Sequence, residues 1–242
     1  MKIVLCKSHF AGPVSGADET LVTYALALHQ SGYDARVVLL YPCADDDQYY
    51  RRLRNAGVEV SFVVTRSVMF EALQRVRNLL AGVLFFIFLM PRAPELMRRI
   101  WQLIMRAMTH LHYRACLNFF QSARPDVLHV FTPDDGAALL ISAGHELGIP
   151  VLYHEMGTPH HLPMLEDYYR RLETVLSLCT GVAALSPRLS AQWSVRFPFL
   201  SSISVLPLMI ERPHTTRGGR ARRRGRAATD AGRRPRARVR SP

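Results

Sequence analysis

Short apolar runs recur from Ile3 to Leu206, and most are followed by a segment of helical periodicity; this alternation constrains the fold more than any other feature. The runs are Ile3–Cys6, Arg36–Tyr41, Val58–Val64, Val127–Phe131, Val151–His154, Val182–Leu185 and Ile203–Leu206. Helical patterns fall between them at Asp18–Gln30, Asp46–Asn55, Gly136–Glu146 and Leu165–Leu178. A strand that leads through a helix into another strand packs back as a right-handed βαβ unit, so the pattern predicts a parallel sheet covered on both faces.

The punctuation fits that expectation of an α/β, Rossmann-like layered fold. Gly32, Gly57 and Gly148 each fall just past a helical stretch, where a left-handed cap favours glycine. Pro125 and Pro150 stand before apolar runs, where a strand entrance tolerates a missing N–H.

From Ser67 to Ala123 the rhythm breaks into two expected helices with no strand. The first carries Met69, Leu73, Val76, Leu80, Val83 and Ile87 at one-face spacing and becomes apolar on every side across Leu79–Met90. Those twelve residues would reach about 18 Å as a helix, short of a hydrocarbon core of about 30 Å. The second starts near Pro94, sets Leu96, Ile100, Leu103, Ala107 and Leu111 along one side, and carries Arg98, Arg99, Arg106 and Arg114. Two readings stand: a helical pair packed on the core, or a surface that seats the chain on anionic lipid through Phe85, Phe86, Phe88 and Trp101 with Arg92, Arg98 and Arg99.

The formal net charge of +12 is a property of the end of the chain. Beyond Glu211 lie 12 of the 31 Lys and Arg residues and one acid, Asp230, which leaves residues 1–211 with 19 bases and 18 acids. Residues 212–242 have almost nothing to bury, so they are expected to be disordered. Such a tail would bind nucleic acid through phosphates, without aromatic stacking and without sequence preference. The break in composition reads either as a translated shift of frame or as a genuine basic tail.

Several chemistries drop out. Cys6, Cys43, Cys116 and Cys179 form no C-x-x-C pair, which suggests reduced thiols rather than a zinc site or a disulfide scaffold. Met1–Phe10 has too short an apolar run for an export signal and reads as a first strand. His154 and Glu155 would need His at 158 for a metallohydrolase helix, and Thr158 is there, so no metal is expected. Gly12 and Gly16 are too far apart for a dinucleotide fingerprint. Tyr168–Arg171 reads as an exposed helix face.

Three ordered blocks resemble glycosyltransferase family 4. Ser15-Gly16-Ala17-Asp18 is similar to the family's opening Gly-Gly-x-Glu loop, and Gly32-Tyr33-Asp34-Ala35 to its Gly-His-x-Val turn. PDVLHVF at 125–131 and GIPVLYHEMG at 148–157 resemble its Pro-Asp-Val-x-His strand and the Gly-Ile-Pro-Val strand that ends at the cleft. CTGVAALSPRLSAQW places Ser186 on the serine of the third block, and Pro207 fits the turn that leaves the domain.

The resemblance implies a GT-B N-terminal domain over 1–211, with Ser15, Gly16, Asp18, Phe131, His154, Glu155, Gly157 and Ser186 on the acceptor side of a cleft. It further implies transfer of a sugar from a nucleotide-sugar donor to a hydroxyl of a sugar or lipid-linked acceptor. The donor would bind a second domain with a Glu-x7-Glu motif, which is not legible after Ile210, so the chain alone is expected to be inactive and to need no cofactor. The expected location is cytoplasmic, at the inner face of a membrane. The competing expectation is a non-enzymatic Rossmann-like module that docks on membrane or nucleic acid through its tail.

Overall fold

The computed structural model describes residues 1–11, 15–64, 79, 94–131, 135–155, 157, 159, 166–200 and 202–207; within the helices, nothing is described of the side chains at 94–98, 100, 101, 135, 167 and 168. All of these residues belong to the compact unit Met1–Ile210. The calls made on Phe85, Phe86, Phe88, Arg92, the first of the two expected helices apart from the exposed Leu79, and the tail 212–242 lie outside the described residues.

The described strands are β1 (Lys2–Lys7), β2 (Asp34–Leu39), β3 (Glu59–Phe62), β4 (Val127–Phe131), β5 (Val151–Glu155), β6 (Gly181–Ala184) and β7 (Ile203–Val205). They form one sheet in the order β3-β2-β1-β4-β5-β6-β7, and every pairing is parallel. The described helices are α1 (Gly16–Gln30), α2 (Gln48–Asn55), α3 (Pro94–Ala123), α4 (Asp135–Glu146), α5 (Glu166–Leu176) and α6 (Pro187–Arg196).

The strand order reverses between β1 and β4, and right-handed crossovers then send the two halves to opposite faces. One face packs Ile3, Leu5, Val37 and Phe131 under α1 and α2, with Leu21, Tyr24, Ala25 and Leu53 turned inward. The other packs Val4, Cys6, Val130 and Tyr153 under α3 to α6, with Phe120, Ile141, Leu172 and Trp193 turned inward. Strand alternation separates these two sets, since neighbouring residues point to opposite sides.

Gly32, Gly57 and Gly148 have φ of 83°, 78° and 67°, the left-handed conformation their positions predicted. Close packing explains a fourth glycine: a Cβ on Gly144 of α4 would lie 2.5 Å from Leu128 Cδ1 and 2.9 Å from Val151 Cγ2. The absent side chain lets α4 lie directly on β4 and β5. None of the four cysteines is disulfide-bonded; Cys6 and Cys116 are buried and Cys43 and Cys179 half-buried.

The expectation for Tyr168–Arg171 needs one correction. Arg170 and Arg171 are exposed, but Tyr169 is 4% exposed and packs edge-on to Trp193, with the Arg196 guanidinium 4.7 Å above its ring. Tyr169, Leu172 and Leu176 recur at helical spacing, and that stripe rather than the local polarity decided which side faces the sheet.

Candidate functional site

Because the strands are parallel, the segments that follow β1, β4, β5 and β6 all emerge at one edge of the sheet. The crevice beside the reversal between β1 and β4 is where an open parallel sheet exposes loops and helix N-termini to a ligand.

At the end of β1, Lys7 and Asp18 form a buried ion pair, and Asp18 also accepts the Ala11 N–H at 2.7 Å. Their side chains are 4% and 0% exposed, so each charge depends on the other. Asp18 thereby ties the loop after β1 to the start of α1. Ser15 caps that helix, its Oγ accepting the Asp18 N–H at 3.3 Å. Tyr49 of α2 closes the loop from the other side: its Oη accepts the Ser15 N–H at 3.1 Å and donates to the Ser15 carbonyl at 3.3 Å. Among the described residues nothing lies within 4 Å of a Cβ built on Gly16, so they leave space beside the N-terminus of α1.

Beneath β4 and β5 sits a buried aromatic cluster. Phe131 and His154 are register partners with ring centroids 5.3 Å apart. His154 stacks on His129 at 5.3 Å and 11°, with His129 Nε2 3.3 Å from His154 Nδ1, so one imidazole donates to the other. Tyr24 of α1 meets both rings edge-on at 5.8 and 5.7 Å, and its hydroxyl donates to the Pro207 carbonyl at 2.8 Å. Burial pushes His129 down to about 3, the second imidazole adding to the depression. Burial also pushes His154 down to about 4, with the Leu206 backbone acting in the opposite sense. Among the described residues, His154 Nε2 has no partner of hydrogen-bond geometry. Both rings are therefore neutral near pH 7, and His154, 0% exposed, is part of the floor of this edge.

Glu155 is buried at the end of β5, where it accepts the Tyr153 hydroxyl at 2.7 Å and the Gly157 N–H at 2.8 Å. The Gly157 carbonyl in turn accepts the Trp193 indole N–H at 2.9 Å. Trp193 belongs to α6, whose N-cap is Ser186, with Oγ accepting the Leu189 N–H at 3.3 Å.

Six of the eight residues named from sequence thus fall into two groups at one edge. Ser15, Gly16 and Asp18 form the first group, while Glu155 and Gly157 form the second, which Trp193 joins to the helix capped by Ser186. Phe131 and His154 lie between them against Tyr24. Lys7, Tyr24, Tyr49 and Trp193 were not foreseen as members. Lys7 carried a signal, a charge at the end of an apolar strand, and Tyr24 shares helical spacing with Leu21 and Leu28.

Of the basic helix, Arg98 and Trp101 lie in α3 with side chains outside the description, and Arg99 is exposed. No described helix is long and apolar enough to cross a membrane. Among the described residues no three His, Cys, Asp or Glu side chains are grouped to hold a metal ion.

A seven-stranded parallel sheet with its constellation at the switch point defines a Rossmann-like nucleotide-fold lobe of the GT-B type. Residues 14–211 match the profile of Glycosyltransferase Family 4, and the chain belongs to that family. No curated protein matches the sequence.

Among solved structures, Anabaena HepE in complex with UDP is similar at a TM-score of 0.51 and 14% identity, over 87% of this chain and 44% of that one. S. aureus MnaA with UDP is similar at 0.51 and 12%, over 85% and 43%. The UDP-GlcNAc 2-epimerase of Neisseria meningitidis bound to UDP-GlcNAc is similar at 0.51 and 11%, over 85% and 46%. At these identities the likeness is one of fold. The chain spans less than half the length of these neighbours.

Proposed function

We propose that this chain supplies the acceptor-side lobe of a glycosyltransferase that moves a sugar from a nucleotide-sugar donor to an acceptor hydroxyl. The observation that carries the reading is the family match over residues 14–211. The neighbours that share the fold bind UDP or UDP-GlcNAc, which makes a uridine diphosphate sugar the donor to test first. The space that the described residues leave beside Gly16 and the capped N-terminus of α1 suit an acceptor hydroxyl or a phosphate at the crevice. Rate would come from positioning and from stabilising the departing diphosphate. The donor would be gripped by a second lobe, so residues 1–242 alone would transfer sugar poorly or not at all.

The test pairs two measurements on the full chain. Incubation with radiolabelled UDP-glucose and UDP-GlcNAc is expected to give no transfer above the protein-free rate, and robust turnover would overturn the half-site reading. Titration of glycolipid and oligosaccharide acceptors by NMR is expected to move signals at Ser15–Asp18, Gly157 and Ser186. Shifts confined to other parts of the sheet would overturn the acceptor-lobe reading.

A second reading, peripheral attachment to a membrane, is favoured by the exposed Leu103, Met105 and Leu111 among the arginines of α3.

A further inference from the structure

The candidate site uses the edge where the parallel strands end, and the opposite edge, where they begin, carries a pocket of its own. A cavity of about 360 Å³ opens between the C-terminus of α5, the entrance to β6 and the turn that leads into β7. That volume lies at the lower end of the range of about 300–1,000 Å³ typical of small-molecule sites. Ser177 and Thr180 line it on the way into β6, Ser202 and Ser204 at β7, together with the ring of Phe199.

Two of these hydroxyls have a defined polarity. Ser177 donates its proton to the Thr174 carbonyl at 2.7 Å, which leaves its oxygen to accept from a ligand. Thr180 accepts the Val151 N–H at 3.2 Å, which leaves its own proton to donate. Ser202 and Ser204 are exposed. Phe199 is 44% exposed, and Phe197 holds its ring at 5.8 Å between centroids.

Among the described residues that line the pocket there is no acidic or basic side chain. Burial pushes the Cys179 thiol up to about 12, so it too is neutral. An ionic ligand would lie here with its charge unpaired. Donors, acceptors and an exposed ring without a charge fit a ligand that carries hydroxyls on its rim and C–H groups on its face. A pyranose has that chemistry, since each hydroxyl both donates and accepts and its C–H face packs on an aromatic ring.

We propose that this pocket binds a neutral saccharide, with Phe199 as the platform under a pyranose ring and Ser177, Thr180, Ser202 and Ser204 as partners of its hydroxyls. The pocket is remote from Ser15–Asp18 and Gly157 because it lies at the other end of the strands. It stands whichever reaction the opposite edge serves. A saccharide held there would tether a glycan to the lobe without occupying the crevice.

The experiment titrates the full chain, labelled with nitrogen-15, with cellobiose and with methyl glucoside to about 50 mM, enough to saturate a millimolar site. Amide shifts are expected at residues 177–182 and 199–204, saturable and unchanged between low and high salt. Phe199→Ala should raise the Kd about fivefold, and Ser202→Ala combined with Ser204→Ala by about the same factor. Val195→Ala alters a residue of α6 that is 78% exposed and outside the pocket, and should change nothing.

Equal affinity in the wild type and both pocket variants would overturn the proposal, as would the absence of any shift at the highest concentration. Shifts confined to Ser15–Asp18, Gly157 and Ser186 would overturn it and leave the acceptor-lobe reading standing. Uridine and glycerol are titrated in parallel. A response to uridine as strong as that to cellobiose would make the ring a platform for a base, and an equal response to glycerol would show a general polyol site; either would overturn saccharide recognition.

Discussion

His129 and His154 show how burial turns two ordinary imidazoles into an acid-sensitive element. Each has a folded pKa well below the 6.5 of an exposed histidine, so the unfolded chain binds protons that the folded one refuses. Their stabilising contribution is fully present above pH 6.5 and is lost as pH falls from there toward 3–4. At pH 5 the loss amounts to up to about 2 kcal/mol for each imidazole. Urea midpoints measured between pH 8 and pH 5 are expected to decline, and His129→Phe should flatten the decline by removing one titrating ring. An unchanged slope in that variant would show that other groups set the acid sensitivity. Sequence alone marked His154 as a cleft residue and quoted His129 as part of a motif. It could not show that they touch, because contact between residues 25 apart requires the register of β4 on β5.

Elements were more legible than contacts. The run Val127–Phe131 coincides with β4, and the expected helix near Pro94 begins at Pro94, because apolar periodicity and proline act locally. The loop Ser15–Asp18 was also visible as a strand-to-helix turn, yet its lock was not: Lys7, Ala11 and Tyr49 reach it through tertiary contacts. Gly144 illustrates the limit from the other side. Within a helix a glycine reads as a small propensity cost, whereas here it is the point where α4 meets Leu128 and Val151. Gly144→Ala should therefore destabilise the fold by about 1–3 kcal/mol through overpacking, although alanine favours helix. A rise in melting temperature for that variant would show that the two strands yield to the methyl group.

On the scale of the whole molecule, a single sheet serves two separate apolar layers, one under α1 and α2 and the other under α3 to α6. Neither layer persists without the strands it shares with the other, so the fold is expected to unfold as one cooperative unit. Trp193, 2% exposed in the second layer, should report the same urea midpoint by fluorescence as far-UV circular dichroism reports for the backbone. Separate midpoints would mean that the layers come apart independently.

The clasp between Tyr24 and Pro207 bears on mechanics. β7 is a three-residue strand at the margin of the sheet, the kind of strand that a pull along the polypeptide would peel away first. With its exit carbonyl fastened to a helix packed over the central strands, tension applied beyond Pro207 is shared with the interior instead of falling on that margin alone.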